Sequence, residues 1–147
     1  MRLLIVIMGL AMSGCGSSIP DNFYVLCNAQ EKSENNKGQA FEEEKKHLWN
    51  YNGDRISKIA TYDFESNLWG ACERCSHSET AKTLNFESKG DGYSGPYEYS
   101  SEINLETLIY QARSYSENES MGLWLRGSEQ GKCQILDAPP SGIEPYV

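Results

Sequence analysis

Apolar and polar positions along much of the chain alternate with a period of two, which predicts strands. Phe23 to Asn28 is aromatic and β-branched and reads as a first strand. Ile56 to Phe64 sets Ile56, Ala60, Tyr62 and Phe64 on one face, while Thr80 to Glu87 sets Leu84 and Phe86 against Thr83, Asn85 and Glu87. Asn52-Gly53 is a strong hairpin signal and leads into the 56–64 strand. Gly122 to Arg126 and Lys132 to Leu136, separated by Gly-Ser-Glu-Gln-Gly, predict a terminal hairpin. Polar Gln30 to Gln39 predicts a loop, as does Ser88 to Ser101 with its three glycines and one proline.

Two segments carry both periods. Phe41 to Tyr51 holds good helix formers, with Glu42 four residues before Lys46; as a strand it puts Phe41, Trp49 and Tyr51 on one face. The adjacent Asn-Gly favours the strand. Asn104 could cap a helix carrying Leu105, Leu108, Ile109 and Ala112. Alternatively, Ile103 and Leu105 end one strand, Glu106-Thr107 turns, and Leu108, Tyr110 and Ala112 alternate in the next. Spacing alone leaves 104–115 open. The tail DAPPSGIEPYV has three of the five prolines and is expected outside the sheet.

The one long apolar run, Leu3 to Met12, follows Arg2 and precedes Ser13-Gly14-Cys15. It is too short to span a bilayer core of roughly 30 Å and has the layout of a secretory signal. The small-small-Cys ending resembles the lipobox of bacterial lipoproteins, with Met12 where that family usually has Leu. The resemblance implies cleavage before Cys15 and lipidation of its thiol and new amine. Attachment to the membrane would then run through acyl chains, each buried CH₂ contributing about 0.8 kcal/mol. With Gly16 as the second mature residue, it implies the outer membrane rather than the inner one; the periplasmic face is expected over the cell surface. The expected division is a signal at 1–14, a lipidated tether at 15–22, a disulfide-stabilised β-domain at 23–137 and an irregular tail at 138–147.

At 147 residues the chain has room for one core. Its formal net charge is −8, and removing Arg2 with the signal makes it more negative. That balance argues against nucleic acid as a partner and against a polybasic membrane surface. With Cys15 set aside, Cys27, Cys72, Cys75 and Cys133 form an even set for an oxidising compartment. Three connectivities are possible. The expected one joins Cys27 to Cys133, an early strand to the last, and Cys72 to Cys75.

Five short pieces resemble a loose group of small secreted or lipid-anchored bacterial proteins of unassigned function. They are Tyr24 to Cys27, Asn52-Gly53, Cys72 with Cys75, Ile103 to Thr107, and Gly131-Lys132-Cys133. The resemblance implies strand at both ambiguous segments. It implies an all-β fold, an antiparallel meander of about six to eight strands curled or closed into a small barrel. It implies no activity.

Candidate chemistry is sparse. Cys72-Glu73-Arg74-Cys75 could be a redox dithiol, or with His77 and His47 a zinc site, but a structural disulfide is the expected state and no metal or cofactor is predicted. Both histidines are expected on the solvated surface. No Gly-x-Ser-x-Gly elbow or triad context supports nucleophilic catalysis, and Glu42-Glu43-Glu44 reads as a charged surface. Tyr93, Tyr97 and Tyr99 around Ser94-Gly95-Pro96 form a candidate binding loop for protein or glycan, or else plugs for a barrel end. Ser94-Gly95-Pro96-Tyr97 and Trp124-Leu125-Arg126-Gly127-Ser128-Glu129 resemble pieces of the lipid-anchored lysozyme inhibitors. The expected function is therefore that of a monomeric, non-enzymatic, lipid-anchored envelope module, binding or structural, with an envelope protein or glycan as its candidate partner. An inhibitor or immunity protein and a redox or metal protein are the alternatives.

Overall fold

The computed structural model describes residues 21–147. The expected signal, Cys15 and most of the tether lie outside them. Among the described residues, nine antiparallel strands form one sheet. They are β1 (Asn22–Asn35), β2 (Ala40–Asn52), β3 (Ile59–Asp63), β4 (Leu68–Ala71), β5 (Cys75–Ser78), β6 (Thr83–Gly92), β7 (Gly95–Asn104), β8 (Ile109–Asn118) and β9 (Leu123–Leu136). The order is β4-β3-β2-β1-β9-β8-β7-β6-β5, so the fold is all-β and every neighbour but β1–β9 is consecutive in sequence.

The sheet edges are β4 and β5, yet only Cys72, Glu73 and Arg74 separate them in the chain. Two edges joined by so short a link must meet at that corner, and the sheet curls into a half-barrel. Cys72 and Cys75 are joined by a disulfide there, with Cα atoms 5.4 Å apart. Across the barrel, β1 and β9 pair from Tyr24↔Leu136 to Asn35↔Leu125, and Cys27 is bonded to its register partner Cys133. The expected connectivity is the observed one.

Alternation decides which side chains enter the barrel. Phe23, Val25, Trp49, Tyr51, Ile59, Leu84, Ile103 and Tyr110 face inward and form the main core with the Cys27–Cys133 bridge. On the outer face, Tyr24, Leu26 and Leu48 make a smaller core with Tyr62, Trp69 and Ile143. The irregular tail covers this patch: Trp69 Nε1 donates to the Glu144 carbonyl at 2.8 Å, and Arg55 donates to the Tyr146 carbonyl at 2.8 Å. It stays out of the sheet, as its prolines require.

Several boundaries differ from expectation. Gln30 to Asn35 continues β1, because ladders to β2 and β9 satisfy its backbone on both sides. Opposed charges such as Lys32 and Glu42, 3.5 Å apart, favour that register. After β2 the chain makes a six-residue connection, and Ile56 is fully exposed in it rather than sharing a strand face with Ala60 and Tyr62. Phe41 is likewise half exposed at the far end of β2.

The expected loop at 88–101 is instead a hairpin turning at Tyr93-Ser94, with Gly92 opposite Gly95. Both ambiguous segments are strands. Asn104 does supply a cap, but its Oδ1 accepts from Glu106 and Thr107 amides in a four-residue turn, where Leu108 adopts φ 56° and stops any helix. The expected terminal hairpin is one unbroken strand, β9. Its glycines serve close packing: a Cβ on Gly131 would collide with the Asn28 carbonyl and lie 2.6 Å from Ala29 Cα.

Candidate functional site

The inward face is apolar at one end and polar toward the other, and the change follows register. Cys27 lies opposite His47 on β2 and Cys133 on β9; two residues on, Ala29 lies opposite Lys45 and Gly131; then Glu31 opposite Glu43 and Glu129. Tyr110 and Ala112 of β8 pair with Gly131 and Glu129; Ser101 of β7 continues the Ala112–Glu129 row, and Tyr99 stands in the next inward row, opposite Ser114. The strand period thus brings His47, Glu129, Tyr110, Tyr99 and Ser101 onto one surface from four strands.

These side chains form a directed chain of hydrogen bonds. Glu129, nearly buried, takes His47 Nε2 at 2.6 Å and the Tyr110 hydroxyl at 3.2 Å on the same oxygen. Burial opposes ionisation of Glu129, but the His47 and Tyr110 bonds and the nearby Lys45 charge outweigh it and hold the carboxyl below the usual range. Burial, reinforced by Tyr99 and Glu129, pushes the Tyr110 hydroxyl far up, and burial also raises Tyr99. Both phenols therefore keep their protons. Tyr110 donates to Glu129, so Tyr99 donates to Tyr110 across 2.7 Å.

Beside this network is a hollow of about 190 Å³ lined by His47, Trp49, Thr61, Cys72, Phe86, Tyr99 and Ser101. It lies where β2–β3 and β6–β7 face one another across the barrel, next to the Cys72 corner. Ser101 is 5% exposed, and its Oγ has no hydrogen-bond partner. It is close enough to ease the ionisation of Tyr99, yet makes no bond of good geometry with it. Larger hollows of about 520 and 460 Å³ lie on the outer face and share Glu87, Ser100 and Arg113. They are troughs of charged and small polar groups on the strand surface. The inner hollow is smaller, but it joins the buried, unpartnered Ser101 hydroxyl to a wall of aromatic side chains.

The structure separates the three tyrosines expected in one loop. Tyr93 is fully exposed at the hairpin turn, Tyr97 accepts from Ser88 Oγ at 3.5 Å, and Tyr99 belongs to the inner network. The histidines, expected on the surface, both turn inward: His77 stacks on Tyr51 at 4.4 Å, and desolvation lowers its affinity for a proton. As a disulfide, Cys72 and Cys75 offer no thiolate to zinc. Glu129 was legible once 127–133 is taken as strand, since Gly127, Glu129 and Gly131 share one face and leave room around an inward carboxylate. Ser101 had no such signal.

Ser94–Tyr97 and Trp124–Glu129 lie in the same part of the sheet with β8 between them. Tyr97 pairs with Ser116, which pairs with Leu125, so the two pieces lie two strands, about 10 Å, apart. Arg126 sits 4.8 Å from the Trp124 ring and 5.8 Å from that of Tyr115. Among the described residues no helix is long and apolar enough to cross a membrane. Comparison with protein-family models, curated proteins and solved structures finds no match for the chain.

Proposed function

We propose that this chain is a non-enzymatic binding module of the bacterial envelope, held to the membrane by lipid on Cys15, that receives its ligand on the inner face of the half-barrel. The observation that carries the binding role is the inner hollow, where Ser101 is buried with its hydroxyl unused. Leaving such a group unsatisfied costs about 1–3 kcal/mol, which an arriving hydrogen-bonding partner recovers. The apolar run before Ser13-Gly14-Cys15 supports the anchor, and two disulfides suit an oxidising compartment.

The anchor is tested by growing cells on an alkyne fatty acid. Label on the wild type, lost in Cys15→Ser together with membrane association, is the expected result; a labelled or membrane-bound Cys15→Ser protein refutes it. The binding face is tested by placing a photo-crosslinker at Thr61 on the inner face and at Gln111 on the outer. Envelope adducts from Thr61 alone support the reading.

A second reading is an inhibitor of an envelope-acting hydrolase, favoured by the outer-face cluster in which exposed Arg126 lies against the Trp124 and Tyr115 rings. Trp, Tyr and Arg are the residue types enriched at binding hot spots. Inhibition of a lysozyme that is lost in Arg126→Ala would favour this surface over the inner face.

A further inference from the structure

We infer that the inner hollow accepts one neutral, polyhydroxylated ring, the sugar unit of an envelope glycan. This rests on the reading of the inner face as the binding face, and names its ligand class. The walls supply what such a ring needs. Trp49, Phe86 and Tyr99 line the hollow with apolar aromatic surface suited to the C–H faces of a ring. Between them stand Ser101 Oγ, able to donate and accept, the Tyr99 oxygen as an acceptor, and the Thr61 hydroxyl. Hydroxyl groups, which also do both, match this mixture better than a purely donating ammonium or a purely accepting carboxylate.

Charge gives the same answer. None of the residues lining the hollow is a carboxylate, and Glu129, bonded to His47 behind it, is already engaged by His47 and Tyr110, so it is not free to pair with a cation. An anion would approach that carboxylate on a chain of net charge −8. Size narrows the occupant further: about 190 Å³ lies below the roughly 300–1,000 Å³ of drug-sized sites, which leaves room for one ring rather than several. Access runs along the β4–β5 side, where no backbone ladder joins the sheet edges.

The test titrates the detergent-solubilised full chain with glucose, N-acetylglucosamine and glucuronate while following Trp49 fluorescence, assigned by Trp49→Phe. A saturable response to a neutral sugar, weakened about tenfold in Ser101→Ala and unchanged in the outer-face variant Arg113→Ala, is the expected outcome. An unchanged melting temperature in Ser101→Ala shows that the fold is retained. Stronger binding of glucuronate, or sugar binding indifferent to Ser101→Ala, overturns the inference. Failure of every sugar while Thr61 still crosslinks envelope material overturns the ligand class and leaves the binding face standing; failure of both overturns both.

Discussion

The half-barrel has two seams, and they are built oppositely. At β1–β9 the beginning and end of the described domain meet through a continuous ladder, with Cys27 bonded to Cys133 across 106 residues of chain. At β4–β5 residues close in sequence meet through a turn alone, clipped by a bridge spanning three residues. The first seam removes a great deal of chain entropy and carries core on its inner side. The second constrains little chain and leaves two strand edges unjoined. The difference teaches where the fold is held and where it can admit something, and the inner hollow lies beside the second seam.

The comparison breaks most readily at its strong side. Replacing Cys27 and Cys133 with alanine removes a bridge worth about 5 kcal/mol in the chain-entropy model, and chemical denaturation will show a loss of that order. Gly131→Ala forces a methyl into the Asn28 carbonyl and the Ala29 backbone, and is expected to cost about 3 kcal/mol in the same measurement. Replacing Cys72 and Cys75 with serine costs less, about 2 kcal/mol, because the loop is short. If the two bridge deletions cost the same, the seams are not distinct.

The smallest effect is electrostatic. Glu129 has its folded carboxyl held below the usual range, so its stabilisation is present above the ordinary carboxylate range and is lost as pH falls through the lower folded value. Glu129→Gln is expected to lower stability at neutral pH by about 1–2 kcal/mol and to flatten the acid limb of stability against pH. His77, harder to protonate when folded, adds to acid destabilisation in both proteins. An unaltered acid limb in Glu129→Gln would remove the network from the account.

Much of the fold was legible because alternation and cysteine pairing report directly on faces and closure. The Leu84/Phe86 face, the Tyr110/Ala112 face and the Cys27–Cys133 bridge are all as the residues imply. What failed were places where one residue type serves two purposes. Glycine at 127 and 131 signals a turn, yet here it permits close strand approach. Asn104 signals a helix cap, yet it caps a turn with the same hydrogen bonds. Gln30 to Asn35 has no apolar face to reveal a strand whose ladder is satisfied on both sides. The inner network was hidden for a related reason: its residues come from β2, β7, β8 and β9, and only register brings them together.

Amide hydrogen exchange on the full chain compares the two seams directly. The slowest amides are expected along β1–β9 around Cys27 and Cys133, with β4 and β5 exchanging faster by orders of magnitude at Leu68–Ala71 and Cys75–Ser78. Equal protection of both seams would contradict the account, because it would mean that β4 and β5 are joined and the hollow beside them is shut.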